Sequence, residues 1–236
     1  MVAVLSEQVA KAFEEKTKIK VISLPPYDKL DAPVSSHADM LMCVIDNNIF
    51  FYKDYYQKNS VLFKGVSEKY NVILTEKECK SDYPYDIGLN VLVIGKKIFC
   101  NKKHTAKEIL DYANTSGYEI IDVKQGYSAC STLVINDNCA ITGDKGMQKA
   151  LEKECIKTTL ISPNKIALNG YNHGFIGGSV GVSQNKLYFF GEVENIDEFA
   201  QIFSILKREK CEYIPIFSGK VCDFGGIKFL ESTKKI

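Results

Sequence analysis

Val44-Ile45-Asp46-Asn47-Asn48-Ile49-Phe50 places β-branched and aromatic residues on both sides of an Asp-Asn-Asn centre. That is the chemistry of a tight β-hairpin, because Asn and Asp accept the turn geometry that the flanking apolar residues resist. The arrangement returns as Val93-Ile94-Gly95-Lys96-Lys97-Ile98-Phe99, then as Val134-Ile135-Asn136-Asp137-Asn138-Cys139-Ala140, and then as Gly181-Val182-Ser183-Gln184-Asn185-Lys186-Leu187. A weaker copy, Phe229 to Ile236, ends the chain. The copies stand roughly 40 to 50 residues apart, a spacing typical of repeat architectures.

Helical patterns keep the same beat. Asp54 to Tyr70 follows the first hairpin and Thr105 to Ala113 the second, where Thr105 and Glu108 fit a capping box. Asp144 to Cys155 carries Met147, Ala150 and Leu151 at helical spacing. Asn195 to Glu209 opens with Asn195 and Glu198 in a cap-like pair and sets Ile196, Phe199, Ile202, Phe203 and Leu206 on one face. The fifth helix, Ser6 to Lys16, lies at the N-terminus and turns Val9, Ala12 and Phe13 inward. Behind each helix comes a short strand pattern: Ile19 to Leu24, Asn71 to Leu74, Tyr118 to Ile121, Thr158 to Ile161 and Tyr213 to Ile216.

The termini decide the topology. The last hairpin has no helix after it, and the first helix has no hairpin before it. Joining the ends completes a fifth unit and leaves no exposed sheet edge at a break in the series. The expected fold is therefore α/β, a single domain over residues 1–236 with five-fold pseudo-symmetry. Its units run over 36–85, 86–126, 127–171, 172–221 and 222–236 closed with 1–35. An open α/β sandwich is the alternative.

Composition sets outer bounds. Forty-five per cent hydrophobic and 25% charged residues are enough for a sizeable core, and a formal net charge of +1 gives no electrostatic reason to expect nucleic acid. The apolar runs are strand-length, so no membrane partner is expected. Met1 to Phe13 mixes apolar with charged residues, unlike a secretory signal. The eight cysteines form no Cys-x-x-Cys pair, which argues against a zinc site and fits reduced thiols in the cytoplasm. No cofactor or metal is expected, and the oligomeric state is left open.

In a ring, the residue before each hairpin begins a strand near the axis, so five distant segments converge. They are His37-Ala38-Asp39, Asp86 with Asn90, Tyr127 to Cys130, Asn172 to Ser179, and Cys222 to Gly226. His37 and Asp39, two apart at a strand start, would share a face. Asp39 is suited to a cationic group and His37 to proton transfer; alternatively both are loop residues satisfying local backbone donors. Cys130 and Cys222 are candidate nucleophiles with His37 or His173 as base, against the reading that such cysteines pack in the core. Asp86, Tyr127, Asn172, Ser179 and Asp223 are candidate ligand-binding residues. The glycines of Gly174 to Gly181 fit neither a P-loop nor a dinucleotide fingerprint and are read as permitting close backbone approach.

The repeat pattern and shared termini resemble the pentein superfamily, an α/β propeller family of guanidine-modifying enzymes that also includes a ribosome-binding translation initiation factor. The resemblance implies a cysteine nucleophile in the final repeat after a glycine run, and a His-x-Asp in the repeat before it. Here the glycine run reads Phe224-Gly225-Gly226-Ile227-Lys228-Phe229, with Phe229 at the nucleophile position. The preceding repeat has His173-Gly174-Phe175, with Phe175 in place of the aspartate, and the full His-x-Asp stands instead at His37 and Asp39. Two readings follow: a protein that binds a small molecule or a macromolecular partner without cysteine chemistry, or a rearranged cysteine–histidine hydrolase acting on a guanidino-like molecule.

Overall fold

The computed structural model describes residues 1–66 and 68–230. The chain begins with β1 (Val2–Ser6), α1 (Glu7–Thr17) and β2 (Val21–Leu24). The next unit holds the single turn α2 (Ala38–Leu41), the hairpin β3 (Met42–Ile45) and β4 (Asn48–Tyr52), then α3 (Lys53–Asn59) and β5 (Asn71–Thr75). The same order continues with β6 (Leu92–Ile94), β7 (Lys97–Cys100), α4 (Lys107–Thr115) and β8 (Glu119–Asp122). The fourth series is β9 (Thr132–Asn136), β10 (Cys139–Thr142), α5 (Lys145–Lys153) and β11 (Lys157–Leu160). The last complete one is β12 (Val180–Ser183), β13 (Lys186–Phe189), α6 (Phe199–Arg208) and β14 (Glu212–Pro215), and β15 (Lys228–Leu230) follows.

These strands form five three-stranded sheets. In four of them a hairpin pairs antiparallel, and its second strand then pairs parallel with the strand that returns from the helix. The fifth is assembled from both ends of the chain. β15 pairs antiparallel with β1, Phe229 facing Ala3, and β1 pairs parallel with β2. The N-terminus therefore contributes a strand that the sequence pattern left unmarked ahead of its helix, and this strand completes the hairpin. The part of the last hairpin beyond Leu230 lies outside the described residues.

Local sequence explains the elements and the differences from expectation. Ser6 caps α1 by accepting from the Gln8 N–H, and Asp144 caps α5 by accepting from the Met147 N–H at 2.7 Å. The Thr105–Glu108 capping box does not form. Thr105 donates to the Asn101 carbonyl, and Glu108 accepts from the Glu76 N–H at 2.9 Å, so both side chains have partners elsewhere. Asn195 likewise does not cap α6, because Glu198 accepts from the Ser162 N–H at 2.9 Å and the helix begins at Phe199. α3 ends at Asn59 and runs into a 3₁₀ turn over Ser60–Phe63, shorter than the helical pattern to Tyr70. The apolar helix faces close against the sheets: Phe13, Ile109, Met147 and Ile202 are fully buried. The largest core group gathers Phe50, Phe51, Tyr52, Tyr55 and Phe63 beside the first hairpin. Among the described residues no helix is long and apolar enough to cross a membrane.

Candidate functional site

The segments that precede the hairpins are hydrogen-bonded to one another in sequence around a common centre. The Asn90 amide donates to the Asp39 carbonyl at 3.1 Å and accepts from the Ala129 and Cys130 N–H groups. The Gly178 N–H donates to the Cys130 carbonyl at 3.1 Å, and the Phe224 and Gly226 N–H groups donate to the Gly178 carbonyl. The Asp39 N–H donates to the Gly225 carbonyl at 3.1 Å, which returns to the starting segment. Each of the five segments thus contacts the next, and the last contacts the first.

Two glycines permit this closeness. A side chain at Gly178 would put its Cβ 2.0 Å from Asp223 Oδ1. At Gly225, where φ is +78°, a Cβ would lie 2.3 Å from that of His37.

Beside this centre is a cavity of about 260 Å³. Its walls include His37, Asp86, Tyr127, Cys130, Asn172, His173 and Asp223, all anticipated in the sequence, and Val34, Met40, Leu168, Tyr171 and Phe175 complete them. Aromatic rings form one side: Tyr127 packs on Phe175 at 5.8 Å between centroids, and His173 meets Phe175 edge-on at 5.8 Å.

Buried acids dominate the chemistry. Asp86 Oδ2 accepts from the Tyr127 hydroxyl at 2.6 Å, while Oδ1 is buried without a partner. Burial raises the Asp86 carboxyl above its ordinary value; the Tyr127 hydroxyl opposes that and repulsion from Asp31 and Asp82 adds to it. Asp223 Oδ2 accepts from the Phe175 N–H at 2.8 Å and Oδ1 from the Gly225 N–H at 3.0 Å, yet burial still pushes this carboxyl up to about 6. Asp39 is buried beside the Cys130 thiol, and burial raises its carboxyl against the pull of His37.

His37 Nδ1 lies 3.7 Å from Asp223 Oδ1, and Nε2 is buried without a partner. Burial lowers the imidazole below its usual range, against the pull of Asp39, so the ring is neutral at pH 7 and the contact with Asp223 is not an ion pair. Cys130 Sγ accepts from the Asn90 amide at 2.8 Å, and burial, with Asp39 and Asp223 near, pushes its thiol well above the ordinary value. Among the described residues no histidine is hydrogen-bonded to a thiol.

The remaining anticipated residues are placed differently. His37 and Asp39 are not on a strand: His37 precedes α2 and Asp39 lies within its single turn, so the alternation that would give them one face does not apply. Asp39 sits behind the cavity wall next to Cys130 rather than on it. Ser179 is fully buried and donates to the Phe175 carbonyl at 2.7 Å, a local structural bond. Cys222 lines a neighbouring hollow with Gln8, Pro33 and Phe224, and its thiol donates to the Lys220 carbonyl. Phe229 packs between Phe13 and Tyr188, away from the cavity walls. Tyr171 was missed in the sequence. The signal was its place beside Asn172 and His173 in a loop too long for a plain connection. Among the described residues no His, Cys, Asp or Glu cluster has a metal-binding arrangement.

Comparison with known proteins adds the following. Residues 3–228 match the model of a family of unknown function, DUF6873. No curated protein matches the chain. Solved structures do. The DDAH of Pseudomonas aeruginosa complexed with citrulline aligns with a TM-score of 0.56 at 6% identity, covering 91% of each chain. SxtG, an amidinotransferase of Microseira wollei in the saxitoxin biosynthetic pathway, aligns with a TM-score of 0.53 at 13% identity, covering 90% of this chain and 72% of that one. The agmatine deiminase of C. jejuni aligns with a TM-score of 0.51 at 12% identity, covering 91% and 75%. At such identities the likeness is one of fold, and the fold is that of the pentein superfamily.

Proposed function

This chain belongs to the DUF6873 family of unknown function, and from that premise we propose that it binds a small organic cation of the guanidinium type in its central cavity without cysteine chemistry. The observation that carries the reading is Asp86 Oδ1, a carboxylate oxygen buried at the cavity with no partner. A buried, unsatisfied acceptor is costly, and a ligand N–H donor is what relieves the cost. Asp223 and the neutral His37, whose Nε2 is also unpartnered, add acceptors to the same space. The rings of Tyr127 and Phe175 suit the flat face of a guanidinium. The volume, about 260 Å³, is just below the roughly 300 to 1,000 Å³ usual for ligand cavities, and so suits a ligand of few heavy atoms.

The hydrolase reading is less well supported. A thiol serves as nucleophile when it is readily deprotonated. Cys130 is held protonated by burial and by two nearby carboxylates, and Cys222 lies outside the cavity walls, its thiol also raised by burial. We further propose that the five sheets close into one propeller-like ring over the whole chain, in support of which stand the β1–β15 pairing and the hydrogen bonds that pass round the five segments. The eight free thiols suit a reducing cytoplasmic setting.

Calorimetric titration with butylguanidine tests the function. Binding to the parent protein, with a loss of tenfold or more in Asp86→Asn, is the expected outcome. A parent protein that shows no binding refutes it.

A further inference from the structure

The first strand of each hairpin stands at the edge of its sheet: β3, β6, β9, β12 and β15 each have a paired strand on one side only. Residues of all five line a second hollow, of about 230 Å³. It lies back to back with the cation cavity. Ala129 and Gly177 are on its walls, the adjacent Cys130 is on the cavity wall, and the Gly178 N–H donates to the Cys130 carbonyl between them. Among the described residues the two spaces share no wall.

One register position recurs in every sheet. The third residue of the middle strand is Phe50, Phe99, Ile141, Tyr188 or Val4, and it faces Cys43, Leu92, Leu133, Gly181 or Lys228 in turn. Cys43, Leu92 and Leu133 are buried on the walls of the hollow. Gly181 has no room for a side chain, since its Cβ would lie 2.4 Å from that of Ile227. Lys228 alone puts a charge at this position, and it is half-buried on the same walls. Among the described residues its ammonium has no hydrogen bond or ion pair, and no carboxylate shares the walls with it.

We propose that this hollow is a second binding site, separate from the cation cavity, and that it takes a small oxyanion, a phosphate or carboxylate group held by the Lys228 ammonium. A cation set among apolar walls attracts an anion more strongly than one on open surface, because water and salt screen it less. The edge strands add donors, since an edge turns alternate backbone N–H groups away from its hairpin partner. The volume suits an ion of few atoms, and among the described residues the walls hold no aromatic ring on which a nucleobase could stack.

Calorimetric titration with inorganic phosphate and with acetate, at pH 7.5 and low ionic strength, tests this and tells the two oxyanions apart. Saturable binding of one or both to the parent protein is the expected result. Lys228→Met should weaken it tenfold or more, the worth of one charged hydrogen-bond partner, and Lys228→Arg should stay within about threefold of the parent. The Met variant should fold, because apolar side chains fill the same register in other sheets. A readout on the parent protein needs no variant: the anion should shift the methyl resonances of the wall residues Val44, Val93, Val134 and Val182 and leave that of Met40 in place. Absence of saturable binding, equal binding by Lys228→Met, or a shift of Met40 in place of the valines overturns the proposal. The butylguanidine titration is independent of all three.

Discussion

Asp223→Asn probes the centre of the molecule through the pH dependence of its stability. In the native state burial pushes this carboxyl up to about 6 from its ordinary value of 3.8. A raised carboxyl binds protons more tightly folded than unfolded, so its contribution to stability falls as pH rises from about 4 to about 6 and then stays at its lower level. A shift of roughly two units corresponds to about 3 kcal/mol in full. By pH 4.5 the unfolded aspartate is already mostly ionised, so about 1 kcal/mol has been lost, and about 2 kcal/mol remains to be lost between pH 4.5 and 7.5.

Asparagine cannot ionise, so it lacks this slope. It also has a single amide oxygen for the Phe175 and Gly225 N–H groups, leaving one buried donor unpaired at a pH-independent cost of about 1–3 kcal/mol. Urea unfolding of both proteins at pH 4.5, 6 and 7.5 gives the difference directly, and raised acids beyond the reach of Asp223 cancel in it. Parent minus variant should drop by about 2 kcal/mol across this range, so that the variant is weakest relative to the parent at pH 4.5 and at pH 7.5 remains weaker by the pH-independent cost alone. A flat difference, or one that rises with pH, refutes the assignment of Asp223 as a desolvated carboxylate.

Other outcomes follow from the same geometry. In thiol labelling at pH 7.5 the exposed Cys155 reacts first, and Cys130 reacts on the timescale of unfolding; rapid labelling of Cys130 in the folded protein would show an activated thiol. Because burial raises the Asp86 carboxyl, a bound cation lowers it again, so titrations at successively lower pH in buffers of different ionisation heat should show increasing proton release on binding. Gly178→Ala forces a Cβ within 2.0 Å of Asp223 Oδ1 and should cost about 3 kcal/mol or more, read as a lower urea midpoint at unchanged slope.

The sequence shows the repeated elements best where local chemistry is strong. Asp46 at the first hairpin turn and the Gln184–Asn185 pair at the fourth take positive φ, as polar turn residues do, and their flanking strands pair as the pattern indicates. β1 was hidden because Val2 to Leu5 is wholly apolar and runs straight into the Ser6 cap, with no alternation to mark a strand. The capping pairs at Thr105–Glu108 and Asn195–Glu198 failed because Glu108 and Glu198 were taken by backbone donors of other units, which no local window reveals.

The site was legible as five strand starts, since a ring brings such positions together whatever their residue type. What separated wall residues from buried ones was finer. Asp39 turned away because α2 replaces strand geometry there, and of the adjacent Cys222 and Asp223, which share a neighbouring hollow, only Asp223 also reaches the central cavity.

Methyl-labelled methionine gives the most direct view of the cavity. The chain has four methionines: Met40 on the cavity wall, Met147 on the buried face of α5, Met1 and Met42. Butylguanidine added to the protein should shift the Met40 methyl resonance in a saturable way and leave Met147 in place, and Asp86→Asn should abolish the shift at the same concentration. A Met40 signal that stays unmoved up to millimolar butylguanidine would contradict a cation-binding cavity at the centre of this fold.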